Sequence, residues 1–142
     1  MTPLMIERGW PYLATIVVVL IWWFGLGHPI PAKPDALMGA SGTVAAVFVG
    51  FLGTAKAIVL GLTNSAVYKK LRSAGYANLL YHYLAEALFS AIIFLAVAVV
   101  GFFLPENQPQ VWFSIVWFVT GVASLLLYVR VTSLLFRLIK QA

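Results

Sequence analysis

Two oppositely charged side chains, Lys56 and Glu86, stand inside apolar stretches of the sequence and are the first residues to suggest chemistry. Ionisable groups within a bilayer are costly, and they usually serve a pathway or pair with one another. His82 precedes Glu86 by four residues and Ser90 follows it by four, so the three share one face of a helix. We therefore expect a buried charged and polar cluster of Lys56, Glu86, His82 and Ser90.

The depth of the two charges permits an ion pair between neighbouring antiparallel segments. Both would lie about 10 Å inside the same membrane surface by helix rise. Three interpretations stay open. Lys56 and Glu86 form a structural pair that fixes helix register, or Lys56 extends to the headgroups beside a neutral Glu86, or the two serve an ion or proton pathway.

Four long apolar segments contain these residues, at about residues 10–27, 37–62, 79–104 and 111–129. Each can span the roughly 30 Å of bilayer hydrocarbon as a helix, the form that continuous apolar runs of this length predict. Hydrophobic residues make up 63% of the chain and charged residues 9%, against about 25% charged in soluble domains. The expected fold is all-α: a single polytopic four-helix transmembrane bundle over residues 1–142.

Basic residues near the segment ends predict the orientation. One surface would carry Arg8, Lys69, Lys70, Arg72, Arg130, Arg137 and Lys140, and the other Lys33 alone. Both termini are therefore expected in the cytoplasm, together with a basic loop at residues 63–76, while the loops at 28–36 and 105–110 face outward. The first segment also resembles a signal peptide cleaved near Ala32, but Glu7 beside Arg8 favours a retained anchor.

The last residues, 130–142, form a basic tail with two possible structures. The tail is either an amphipathic helix lying in the inner interface or the end of the fourth helix projecting past the membrane. It joins the basic loop as a candidate contact for lipids or for a soluble partner, through Lys69, Lys70, Arg72, Arg137 and Lys140. Because the positive charges cluster at segment ends, the net charge of +5 does not predict direct binding to nucleic acid.

Small residues recur along the second segment at spacings of three and four. This small-residue stripe consists of Gly39, Gly42, Ala46, Gly50, Gly53, Ala57 and Gly61. At 100° per residue its members share one helix face, with Thr43 and Thr54 at its margin. Small residues let helices approach closely in lipid. The stripe thus predicts packing inside the bundle, an interface between copies in a homo-oligomer, or a narrow pore wall.

The sequence offers no motif that indicates catalysis, a cofactor or a metal. It contains no cysteine, so thiolate chemistry is excluded. His28 and His82 are its only histidines and do not share a helical face, and neither a phosphate-binding loop nor a serine nucleophile motif is present. We expect neither an enzyme nor a cofactor.

The central stretch, residues 37–95, resembles the RexB-type membrane components of phage-exclusion (abortive infection) systems. The matching residues are Gly42-Thr43, Gly61-Leu62-Thr63, Tyr68-Lys69-Lys70-Leu71-Arg72, Gly75-Tyr76 and Glu86. The resemblance implies an ion channel that depolarises the inner membrane of an infected bacterium, and a cytosolic partner that senses the phage. The membrane subunits of Kiwa-type defence systems are a neighbouring possibility.

Three functions therefore compete. The first is a gated pore formed by an oligomer, since one four-helix chain has little room for a lumen. The second is a non-conducting scaffold or accessory subunit that recruits a soluble protein. The third, a small proton-coupled transporter of dual topology, suits Glu86 but not the charge bias, because dual insertion requires balanced charges.

Overall fold

Long helices account for most of the chain. The computed structural model describes residues 3–27, 34–105 and 111–141, and no strand occurs within these ranges. The helices are α1 (Pro3–Leu20), continued by a π-helical segment (Ile21–Gly25), α2 (Pro34–Gly61), α3 (Ala66–Ser73), α4 (Tyr76–Gly101) and α5 (Val111–Gln141). All except α3 are long and apolar enough to cross a membrane, α1 together with its π-helical segment, which gives four candidate spans. The predicted all-α, four-span architecture is confirmed.

The helices extend further than the apolar segments that predicted them. α1 begins at Pro3, and α5 continues without a break to Gln141, so the basic tail belongs to the same helix as the fourth span. Backbone hydrogen bonding carries a helix past the point where its side chains become polar. His28, Lys33 and most of the predicted outward loops, residues 28–33 and 106–110, lie outside the described residues.

α4 lies at the centre of the bundle and packs against α2 and α5, while α1 packs against α5. Its inward face repeats at three- and four-residue spacings through the buried residues Leu80, Leu84, Ala87, Ala91, Phe94 and Ala98. The alanines bring the neighbouring backbones close, and Leu52 of α2 and Val131 of α5 fill the remaining space. The core is therefore made of side chains in close contact along α4.

Polar and aromatic contacts join α2 and α1 to α5. The indole Nε1–H of Trp117 donates to the Ser41 hydroxyl at 3.1 Å, which links α5 to α2. The rings of Phe48 and Tyr128 stack 4.3 Å apart at the same pair of helices, and Trp22 stacks on Phe118 at 4.5 Å between the π-helical segment and α5. These contacts fix the position of α5.

The short helix α3 lies between α2 and α4 at one end of the bundle. The Ser65 hydroxyl caps α3 by accepting the Tyr68 N–H at 3.1 Å. Gly75 then takes a φ of +76°, a conformation that favours glycine, and lets α4 begin at Tyr76. α3 packs against the start of α4, so its basic residues remain beside the end of the bundle.

Candidate functional site

A buried arginine, Arg130 of α5, joins three helices. Its Nη2–H donates to Oε2 of Glu86 on α4 at 2.6 Å, and this is the ion pair that the described residues form. Its Nη1–H donates to the backbone carbonyl of Arg8 on α1 at 3.3 Å. Its guanidinium also lies 4.0 Å from the centre of the Tyr83 ring on α4. We call Arg130, Glu86 and Tyr83 the arginine cluster.

Helix periodicity and depth bring the cluster together. Tyr83 and Glu86 are three residues apart on α4 and therefore share a face. Glu86 lies ten residues after α4 begins, and Arg130 lies eleven residues before α5 ends. Because α4 and α5 are antiparallel neighbours, both charges lie about 15 Å from the same end of the bundle by helix rise.

A proline explains how α1 offers an acceptor to Arg130. Pro11 has no N–H, so the carbonyl of Glu7 lacks its usual donor, and the proline ring crowds the preceding helical turn, which contains Arg8. Neighbouring helices commonly satisfy the carbonyls that a proline frees within a membrane span. The bond from Arg130 to the Arg8 carbonyl fits this pattern and fixes the start of α1 against α5.

Because the cluster is buried, its charged group depends on the contacts that the protein supplies. The Arg130 side chain is 2% exposed and Tyr83 is fully buried, whereas the Glu86 side chain is 24% exposed. A guanidinium can lie in the interior only with a counter-charge and hydrogen bonds, and an aromatic face contributes further attraction. Glu86, the Arg8 carbonyl and Tyr83 supply these three elements.

The cluster also leaves buried polar atoms without a hydrogen-bond partner in the described part of the chain. Within the cluster they are the Tyr83 hydroxyl and Nε of Arg130, and a third such atom, the Ser124 hydroxyl of α5, lies outside the cluster. Buried polar groups are normally satisfied, so unpaired ones mark positions where a water molecule or a second side-chain arrangement fits. The arginine cluster therefore combines strong contacts with unused hydrogen-bonding capacity.

Lys56 and Glu86 do not form the structural pair that was one of the three open interpretations, and the Glu86 carboxylate pairs with Arg130 instead. Lys56 is half-buried on α2, and its Nζ lies 5.1 Å from the centre of the Tyr81 ring. Tyr81 lies on α4 five residues before Glu86, so Lys56 stands nearer the end of the bundle than the carboxylate does. Lys56 and Glu86 therefore belong to two different sites.

The remaining members of the predicted polar cluster are more peripheral. His82 is exposed, and its Nε2 lies 3.5 Å from a guanidinium nitrogen of Arg8. Ser90 is half-buried one turn beyond Glu86. No group of three His, Cys, Asp or Glu residues suited to a metal ion occurs among the residues described.

The small-residue stripe faces away from the core of the chain. Ala46, Gly50, Ala57 and Gly61 are exposed, and the other three members are half-buried. A Cβ added to Gly42, Gly50, Gly53 or Gly61 would meet nothing within 4 Å, and one at Gly39 would only touch Phe102 at 3.8 Å. The buried face of α2 is instead formed by Met38, Ser41, Ala45, Phe48 and Leu52. Packing inside one chain thus does not explain the stripe.

The predicted basic contacts lie on the surface. Lys69, Lys70 and Arg72 are exposed on α3, and Arg137 and Lys140 are exposed on the last turns of α5. Arg130, the first residue of the predicted basic tail, is buried within the bundle instead. Its position two turns before Arg137 places it level with Glu86 and not beyond the membrane surface.

Sequence reasoning missed Arg130 and Tyr83 as functional candidates. The apolar run of the fourth segment ends at residue 129, and the first charge after such a run usually marks the membrane surface. The depth argument that favoured Lys56 could have identified Arg130, because α5 continues to Gln141. The burial of Tyr83 had no signal in the sequence, since tyrosines also occur at exposed positions 76 and 81 on α4.

No protein-family model matches the sequence, and neither a curated protein nor a solved structure shows a significant match to it. The protein class therefore rests on the fold: an all-α, multi-pass protein with four helices suited to a membrane. Its distinguishing features are the arginine cluster at the core and the uncovered small-residue stripe on α2.

Proposed function

We propose that the protein forms a homo-oligomeric ion channel in the bacterial inner membrane. The channel would depolarise the cell in anti-phage defence when a cytosolic partner signals infection. The observation that carries this proposal is the small-residue stripe on α2, which the described part of the chain leaves uncovered. The resemblance of residues 37–95 to RexB-type proteins supplies the biological setting.

The uncovered stripe supports assembly. In lipid, helices associate through van der Waals packing, and a face of glycine and alanine lets another backbone approach closely. The stripe runs along most of α2, from Gly39 to Gly61, and its central glycines have open space where a side chain would be. A second copy of α2, or another helix of a neighbouring copy, fits against this face.

The packed core supports a conduction path between chains and not through one. Leu52, Tyr83 and Leu84 are essentially fully buried at the centre of the bundle, where a lumen within a single chain would have to run. Several chains arranged around an axis leave space at the centre of the ring. The stripe then lies at the interface of the chains or on the wall of the pore.

Polar groups along the margin of the stripe suit an ion path. Thr43 and Thr54 are both exposed, and their hydroxyls donate to the carbonyls of Gly39 and Gly50 at 3.0 and 2.8 Å. A hydroxyl that donates to its own helix keeps its oxygen lone pairs free as acceptors. Two such oxygens about 16 Å apart along α2 would offer ligands to a partly dehydrated cation.

Gating requires an element with two arrangements. The arginine cluster suits this role because it fixes α1, α4 and α5 together while leaving buried hydrogen-bonding groups unused. α3 is the nearest surface for a cytosolic partner in the expected orientation. A partner that moved α3 would pull on the start of α4, to which Gly75 connects it.

Ion flux through reconstituted protein tests the proposal. Liposomes that contain the protein, with and without its cytosolic partner, should pass monovalent ions, and triggered cells should lose their membrane potential. Gly50→Leu should lower the flux because the added side chain keeps chains apart. Ala96→Leu, which adds similar bulk to an exposed position of α4, is the matched control and should leave the flux unchanged.

Intact potential in triggered cells, together with tight liposomes when the partner is bound, would refute conduction. A non-conducting scaffold would then be the better account. One observation favours that second candidate: α3 presents Lys69, Lys70 and Arg72 as an exposed basic surface suited to an acidic soluble partner. For a scaffold, loss of these charges would abolish defence while no variant would alter membrane potential.

A further inference from the structure

Lys56 carries a charge that no described residue neutralises. Its Nζ has three N–H donors, yet its described contact is the face of the Tyr81 ring at 5.1 Å. The nearest carboxylate along α4, Glu86, is already bound to Arg130. The Lys56 residue is half-buried, but its ammonium is not among the buried side-chain atoms, so an acceptor from outside the chain can reach it.

The depth of Lys56 identifies which molecules can reach it. α2 has 28 residues and is therefore about 42 Å long, while the hydrocarbon layer is about 30 Å thick. A centred helix thus extends about 6 Å beyond the hydrocarbon at each end. Lys56 lies five residues, about 7.5 Å, before the end of α2 at Gly61, which is the level where acyl chains meet headgroups.

The surface around Lys56 is one that lipid covers. Leu60, one turn after Lys56 on α2, and Ile92, about three turns deeper on the Tyr81 side of α4, are exposed apolar residues. A ligand here can place its apolar part on these helices and its acceptor on Lys56.

Charge indicates the kind of lipid. Lys69, Lys70 and Arg72 are exposed on α3, which begins five residues after α2 ends and contains no acidic residue. Basic residues close to a membrane surface attract anionic lipids, and basic pockets between spans bind their headgroups. A zwitterionic headgroup would bring its own cation into this positive region and is disfavoured. Tyr81, which is 40% exposed, suits the interface through its ring and hydroxyl.

We propose that the surface where Lys56 of α2 meets Tyr81 of α4 binds an anionic phospholipid, with its phosphate on the Lys56 ammonium beside Tyr81. Its acyl chains lie along the exposed apolar surface of α4 toward Ile92, and the basic residues of α3 add long-range attraction. This site is independent of ion conduction and exists equally in a channel or a scaffold.

Native mass spectrometry of the detergent-solubilised protein, titrated with phosphatidylglycerol or phosphatidylcholine, tests the site. The native chain should retain one phosphatidylglycerol in preference to phosphatidylcholine. Lys56→Gln should reduce that preference roughly fivefold, the effect of one lysine near an anionic surface. Lys56→Arg should keep it, and Lys140→Gln, which removes an equal charge from the end of α5, should leave it nearly unchanged.

Two further arms keep the test decisive. Helix content by circular dichroism shows whether Lys56→Gln has lost its fold. If it has, Tyr81→Leu replaces it and should also weaken the preference for phosphatidylglycerol. Inorganic phosphate in excess should not displace the lipid. Displacement by phosphate, or an unchanged lipid preference in folded Lys56→Gln, would overturn the proposal.

Discussion

Arg130 donates from Nη2 to Oε2 of Glu86 across 2.6 Å, and this ion pair joins α5 to α4 at the centre of the bundle. The two partners differ in burial, because the Arg130 side chain is 2% exposed and that of Glu86 is 24% exposed. A pair of this kind contributes little net stability relative to apolar residues, but breaking one half of it is expensive. We therefore expect the pair to favour the observed arrangement of α4 and α5 over others.

Removing either partner of the pair should destabilise the bundle. Glu86→Gln leaves a fully buried guanidinium without its counter-charge and should lower the free energy of unfolding by about 3–5 kcal/mol. Arg130→Met leaves the Glu86 carboxylate inside the span without its cation and should also lower the free energy of unfolding. The double variant should recover much of the loss. The free energies of unfolding of the native protein, the two single variants and the double variant, measured in detergent as a double-mutant cycle, give the cost of each change and the amount recovered.

Lys56→Met provides the matched control for this cycle. It removes the cation that the sequence suggested as the partner of Glu86, and the structure separates the two. Its effect should add to that of Glu86→Gln within about 0.5 kcal/mol. Coupling between Lys56 and Glu86, with none between Arg130 and Glu86, would contradict the observed geometry.

A second prediction concerns the orientation of the chain. The exposed basic residues at the α3 end of the bundle, Lys69, Lys70, Arg72, Arg137 and Lys140, favour the cytoplasm for that end. Reporter fusions after Arg72 and at the C-terminus should therefore give a cytoplasmic signal, and one near Asp35 an external signal. An external C-terminus would disprove the charge argument, and mixed signals at one position would indicate dual topology.

The sequence predicted the spans well because the physical cause is local. Each span is an uninterrupted apolar run, and lipid leaves such a run few structures other than a helix. The partners of buried charges were harder to predict, since Lys56 and Arg130 both lie on helices beside α4. Which cation meets Glu86 depends on helix rotation, and one residue of difference turns a side chain by about 100°.

The sequence also did not predict whether the small-residue stripe faces the core or the outside of the bundle. Its periodicity predicted a common face, but α2 has a second periodic face, from Met38 to Leu52, that the core covers instead. The larger residues on that second face bury more apolar surface, so they turn inward and the glycines turn outward. Gly121 of α5, by contrast, does meet a neighbouring helix closely, because a Cβ added there would lie 3.0 Å from the Phe94 ring of α4. Gly121 does not belong to the small-residue stripe.

A third prediction concerns the contact between Trp117 and Ser41. The Ser41 hydroxyl accepts the indole N–H and donates to the Leu37 carbonyl, so one small side chain serves both α5 and α2. Ser41→Ala should lower the free energy of unfolding by about 1 kcal/mol because the partly buried indole N–H loses its acceptor. Ser133→Ala, at an exposed position of α5, is the control and should change stability little. Equal effects in the two variants would show that the bond is not stabilising.

The last prediction separates packing within a chain from packing between chains. Gly50→Leu and Gly53→Leu should leave helix content and thermal stability of a single chain unchanged, because an added side chain meets open space there. They should reduce the oligomer seen by cross-linking or by light scattering in mild detergent, and Gly50→Ala should be milder.

Gly121→Leu provides the opposite case on α5. A Cβ at this position would lie 3.0 Å from the Phe94 ring of α4, so a leucine overpacks the core and should cost about 1–3 kcal/mol of stability. The single chain should therefore unfold earlier in Gly121→Leu but not in Gly50→Leu, whereas assembly at a temperature where both remain folded should fail only in Gly50→Leu. If Gly50→Leu and Gly53→Leu assemble normally, the stripe has no role in association, and the channel proposal loses the observation on which it depends.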